Sequence, residues 1–172
     1  MMPGEEVISR DRLMPFLLDR LTDDNPDTQM ESRTARTATI TQLRSSVLRD
    51  IGWLLNSTRH PDSDGLNTYP LVARSVLNFG IPAMGGGTES SVSVESLEQV
   101  IADAIRTYEP RLLPETVLVK ATAAADRSIS GNRVDFEIRA DLWAVPMPDV
   151  LFVRTEVDLE TGLCQVTQRS NG

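Results

Sequence analysis

At 172 residues the chain is long enough for one domain with a real core, and its 40% hydrophobic and 24% charged residues are the balance of a soluble globular protein. A net charge of −8 excludes non-specific binding to nucleic acid, which needs a basic surface to displace counterions. The one cysteine, Cys164, excludes an internal disulfide framework and fits a reducing compartment.

The start, Met1-Met2-Pro3-Gly4-Glu5-Glu6, is acidic where a signal peptide needs positive charge, and no long apolar run follows. A cytoplasmic protein with no membrane insertion is therefore expected. Residues 10–22 read as a short amphipathic helix with Leu13, Phe16, Leu17 and Leu21 on one side, its regular part starting near Pro15. Residues 23–38 are polar and rich in Asp, Thr and Arg, the composition of a connector. This divides the chain into 1–38, a helix and its connector, and 39–172, a single domain.

Thr39-Ile40-Thr41-Gln42 has the form of a capping box. Ile40, Leu43, Val47, Ile51, Leu54 and Leu55 then mark one face over about four helical turns. A loop over 56–69 contains His60-Pro61 and Asp64-Gly65. Tyr69-Pro70 opens a further short helix, with proline at a first-turn position, and Gly80 with Pro82 ends it. Gly85-Gly86-Gly87 is a link. It lacks the Lys-Ser/Thr ending and the preceding strand of a phosphate loop, so no nucleotide cofactor is expected.

The next helix carries Val94, Leu97, Val100, Ile101, Ala104, Ile105 and Tyr108 at spacings of three and four. It runs into Glu109-Pro110-Arg111-Leu112, where Pro110 cannot continue it. Glu109 faces the negative end of the helix dipole and so needs a cationic partner, either the nearby Arg111 or one on another chain. A local ion pair at a helix stop would contribute little to stability.

From Thr116 the period switches to two. Val134, Phe136, Ile138, Ala140, Leu142 and Ala144 alternate with Arg133, Asp135, Glu137, Arg139 and Asp141. That is the pattern of an antiparallel sheet covered on one side. Leu151, Val153, Thr155, Val157 and Leu159 repeat it. Glu160-Thr161-Gly162 then turns the chain into a last strand, Leu163 to Gln168, in which Cys164 reads as a small buried hydrophobe. The fold class is α+β, with N-terminal helices packed on one face of a C-terminal, mainly antiparallel sheet of three to four strands.

Catalysis has little raw material. The single histidine, His60, lies beside a proline in a polar loop, so catalytic triads and histidine-containing metal clusters are not built, and no metal or cofactor is expected. A glycosidase needs only two carboxylates. Here, however, the carboxylates fall on solvated strand faces, in loops or at helix ends, and 5% aromatics suggest no sugar cleft. Trp53 and Trp143 sit at or beside core stripes. Lys120 is the only lysine; arginine suits bidentate pairing at interfaces, and a GC-rich genome gives the same bias.

Four segments, in order, resemble the TssE family, the small wedge subunit of the bacterial type VI secretion baseplate, related to a small baseplate wedge protein of contractile-tailed phages. They are Leu17-Leu18-Asp19-Arg20-Leu21, Gln42 through Asn56 (QLRSSVLRDIGWLLN), Tyr69 through Pro82 (YPLVARSVLNFGIP), and Glu109-Pro110-Arg111-Leu112. The resemblance implies that 39–172 is a baseplate wedge domain and that the chain is a non-enzymatic structural subunit. Its implied partners are other baseplate wedge subunits, reached through Glu109, Pro110, Arg111 and Leu112 against a helical core bundle, and contractile sheath subunits, whose extended arms pair with the C-terminal sheet.

The residues themselves agree with strand addition, since a meander leaves edges that accept a strand. The two late strands are the candidates, with Leu163, Gln165, Val166 and Thr167 in the last of them. An interface role for Arg111 predicts that Arg111→Ala leaves the domain folded and weakens wedge binding. The alternative function is a peptidoglycan hydrolase using paired carboxylates, since relatives of the family have been labelled lysozyme-like. A stand-alone immunity factor is a third reading.

Overall fold

The computed structural model describes residues 15–22, 27, 38–61, 65–83, 93–122, 133–143 and 148–168, with Asn67 described by its backbone only. The expected connector (apart from Asp27 and Ala38) and Gly85-Gly86-Gly87 lie outside the described residues.

Two long helices are started by side-chain caps. In α2 (Ile40–Leu55) the Thr39 hydroxyl accepts from the Gln42 N–H at 3.2 Å, and the Gln42 side chain accepts from the Thr39 N–H at 2.8 Å. This is the reciprocal box read from the sequence. In α4 (Val94–Tyr108) the Ser93 hydroxyl accepts from the Ser96 N–H. Both helices bury the face their spacing marks: Leu43, Val47, Ile51, Leu54 and Leu55 on α2, and Leu97, Ile101, Ala104 and Ile105 on α4. Ile40, at the start of the α2 stripe, is exposed.

These faces cover one side of a four-stranded antiparallel meander in the order β1 (Leu118–Ala121), β2 (Arg133–Leu142), β3 (Asp149–Asp158) and β4 (Cys164–Gln168). The register places Val134 opposite Val157, Phe136 opposite Thr155, Ile138 opposite Val153 and Ala140 opposite Leu151. All eight are buried, so a slip of one residue would turn this whole set to water. Helix α2 lies towards β4 and α4 towards β1. The outer face carries exposed cross-strand ion pairs, Arg154 with Asp135 at 2.6 Å and Arg133 with Glu156 at 2.8 Å. Such pairs hold register more than they stabilise.

Four local expectations change. Among the described residues the N-terminal helix α1 spans Leu17–Leu21; Leu13 of its expected inward stripe lies outside them, and Leu17 and Leu21 are 70% and 74% exposed, leaving Phe16 to pack on the core. The helix opened by Pro70 stops early: α3 is Pro70–Ala73. Ser75 then caps a separate 3₁₀ turn, Val76–Asn78, by accepting from the Leu77 N–H. The Glu-Pro-Arg-Leu segment, read from the sequence as ending the helix and beginning the first strand, is separated from β1 by a 3₁₀ turn, Pro114–Thr116, where Pro114 supplies no N–H to a ladder. Both tryptophans are surface residues, Trp53 at 53% and Trp143 at 62% exposure.

Candidate assembly surfaces

The end of α4 turns inward at the tetrapeptide. Glu109 is 4% and Arg111 9% exposed, Leu112 is buried, and only Pro110 faces water. Leu112 bridges to Leu142, and the Trp143 N–H donates to the Arg111 carbonyl at 2.7 Å, so the sheet fixes the backbone here. The cation that Glu109 requires is Arg111 of the same chain. The Arg111 guanidinium donates to both Glu109 oxygens, through Nε at 2.5 Å and through Nη2, and the Arg111 N–H adds a bond at 3.1 Å. This bidentate fork is the geometry that arginine, unlike lysine, provides.

The network continues outward. Arg111 Nη2 also donates to Asp50 on α2 at 2.6 Å, Asp50 accepts from Arg49 at 2.9 Å, and Arg49 pairs with Asp19 of α1 at 2.5 Å. Asp19 accepts as well from the Ser46 hydroxyl at 2.8 Å, and the Phe16 ring lies 4.3 Å from the Arg111 guanidinium carbon. Burial opposes both charged forms. The carboxylates around Arg111 outweigh this and raise its pKa, and the hydrogen bonds from Arg49 and Ser46 hold Asp19 below the usual carboxylate range. Three segments far apart in sequence thus meet at one charged cluster.

A second surface is apolar. Tyr69, Leu71, Val76 and Leu77 are 63–86% exposed along α3 and the 3₁₀ turn that follows. Exposed apolar groups so close in sequence make this segment a candidate interaction surface. The ridge is held from behind. Tyr108 donates its hydroxyl to the Asn78 carbonyl at 2.8 Å, and its ring meets Phe79 edge-on at 5.4 Å. The buried Asn78 amide donates to the Ala73 carbonyl and accepts from the His60 N–H, both at 3.0 Å.

The third surface is the β4 edge; of the two late strands expected as candidates, β3 is ruled out because it is paired with β2 on one side and β4 on the other. Asp158 N–H donates to the Leu163 carbonyl at 2.9 Å, and the register continues through Glu156 with Gln165 and Arg154 with Thr167. Alternation turns the backbone groups of Gln165 and Thr167 to β3, and those of Cys164, Val166 and Gln168 to the free edge. The Asn56 side chain closes the first of these: its amide donates to the Cys164 carbonyl at 2.9 Å and accepts from the Cys164 N–H at 3.0 Å. Among the described residues, none bonds the outward main-chain groups of Val166 and Gln168. At the opposite edge α4 intervenes, with Glu98 accepting from the Ala121 N–H and Arg106 donating to the Val117 carbonyl, both at 2.8 Å.

Sequence reading gave no site role to Arg49, Asp50 or Asn56, and placed Phe16 only on the apolar side of the N-terminal helix. A signal existed for Arg49 and Asp50, since both lie on the flank of α2 between the stripe positions Val47 and Ile51. Leu163 is exposed just before β4, Gln165 and Thr167 point outward, and Val166 is half-buried against the core. Cys164 is buried as expected, and burial pushes its thiol up to about 11. Among the described residues no group of acidic, histidine or cysteine side chains is arranged to hold a metal, and no helix is long and apolar enough to cross a membrane.

Compared with known families, residues 41–147 match the baseplate wedge protein gp25 model, from α2 through β2 and including the whole Glu-Pro-Arg-Leu segment. No curated protein and no solved structure matches the chain. With more than half of its length matched, the chain belongs to the baseplate wedge protein gp25 family, the structural family that includes the TssE proteins it resembles.

Proposed function

We propose that the chain is a non-enzymatic subunit of a type VI secretion baseplate that works in the cytoplasm, docks on the wedge complex through the Glu109–Leu112 region, and starts contractile sheath assembly by accepting a sheath strand at β4. Family membership supports the baseplate role. The observation that carries strand addition is the free side of β4: beyond Cys164, which Asn56 closes, no described residue bonds the outward main-chain groups of Val166 or Gln168. An open edge is an aggregation liability that a partner strand removes.

The hydrolase reading finds less support. A glycosidase acid needs a raised pKa. Glu98 is instead held below its usual range by hydrogen bonds from Lys120 and the Ala121 N–H, and Glu109 and Asp50 are tied to Arg111.

Val166→Pro tests strand addition, because it deletes an outward N–H while leaving the bonds to β3 in place. The variant should fold and bind the wedge, and sheath assembly imaged in cells should be lost. Side-chain changes at Gln165 or Thr167 should leave sheaths intact. Normal sheaths from folded Val166→Pro would exclude addition at this edge.

A further inference from the structure

Helix α1 covers the charged cluster without completing it. Arg111 Nη1 and Arg49 Nη2 are both buried there, and neither has a hydrogen-bond partner among the described residues. Leaving N–H groups of a buried cation unpaired disfavours the arrangement that buries them. The helix itself is poorly placed. It has five residues, none of them buried, and Leu17, Leu18 and Leu21 are 70%, 43% and 74% exposed. Among the described residues, the contacts that tie it to the body are the Phe16 ring, on Arg111 and the edge of the core, and the Asp19 carboxylate on Arg49 and Ser46.

Those two contacts show what the surface recognises: an apolar or aromatic ring over one guanidinium, and a carboxylate three residues later on a second. We propose that the surface beneath α1 is the docking site for an acidic helical segment of a wedge partner, and that α1 is an internal stand-in which this segment displaces. The proposal rests on the reading of the Glu109–Leu112 region as the wedge contact.

Charge selects the occupant. Once Asp19 leaves, Arg49 and Arg111 face only Asp50 and Glu109, so an incoming carboxylate restores what was lost and supplies acceptors to the orphaned N–H groups. An aromatic or aliphatic side chain takes the place of Phe16.

Competition by α1 lowers the apparent affinity of the full-length chain by the fraction of molecules in which the site is open. Loosening α1 should therefore tighten binding. The test titrates the full-length chain, as wild type, Phe16→Ala and Asp19→Asn, against the wedge subcomplex purified without this chain. Removing one cation–π contact should tighten binding by roughly five- to tenfold, and Asp19→Asn should act in the same direction without touching the core. Unchanged or weaker binding by both variants would overturn displacement and leave α1 as fixed scaffold. No binding by any form, wild type included, would remove the wedge reading itself together with the proposal.

Discussion

Arg111→Ala should lower the thermal midpoint of the isolated chain by about 10 °C. The substitution strands Glu109, which is 4% exposed, and removes a partner from Asp50 at the same time. Breaking a buried pair on one side costs about 3–5 kcal/mol, and for a chain of this size each kcal/mol moves the midpoint by about 2–4 °C. This is a far larger loss than a local pair at a helix stop implies, and it means that weak wedge binding by this variant would not by itself prove an interface role. Two further variants separate charge from geometry. Arg111→Lys keeps the charge but not the fork, so it should fall between wild type and Arg111→Ala. Glu109→Ala/Arg111→Ala should be less destabilised than the two single changes summed, because neither charge is left alone. Additive losses in calorimetry or chemical denaturation would show that the pair is not coupled.

Gly80→Ala should be the most damaging single-methyl change in the described structure. Gly80 has φ +128°, and a Cβ there would sit 2.3 Å from the Ser57 carbonyl oxygen and 2.7 Å from its carbon. Backbone cannot move aside as a flexible side chain can. The approach is close because the Ile81 N–H donates to that same carbonyl and the Arg59 N–H donates to the Ile81 carbonyl, both at 2.9 Å. Strain at such a dihedral together with overpacking costs about 3 kcal/mol or more. The loss should reach beyond stability, since the Ser57–Ile81 clamp anchors the end of the segment that carries Tyr69, Leu71, Val76 and Leu77. Faster amide exchange across residues 72–79 in Gly80→Ala is the expected signature; wild-type exchange and stability would contradict it.

How much of this was readable from residues alone follows a physical line. Period-two alternation and the Thr39 box lie within single segments, so the sheet, its buried face and the start of α2 were legible. So was the need of Glu109 for a cation, because the helix dipole acts on its own last turn. What was not legible depends on contacts between distant segments. Nothing near Asn56 announces that its amide imitates a strand partner for Cys164, 108 positions away. Nothing in Leu17-Leu18-Asp19 says that the aspartate would turn inward and the leucines outward. That inversion arises because Arg49 and Arg111, brought together by α2 and the end of α4, offer α1 charge instead of an apolar groove. The tryptophans failed in the opposite sense, since an apolar residue beside a stripe is as readily a surface group as a core one.

The most direct measurement is affinity purification of the tagged full-length chain from cells expressing the secretion cluster, with the recovered proteins identified by mass spectrometry. A baseplate wedge subunit should bring down both wedge and sheath subunits, and Val166→Pro should retain the wedge subunits while losing the sheath. Recovery of neither class by the wild-type chain would contradict an assembly role.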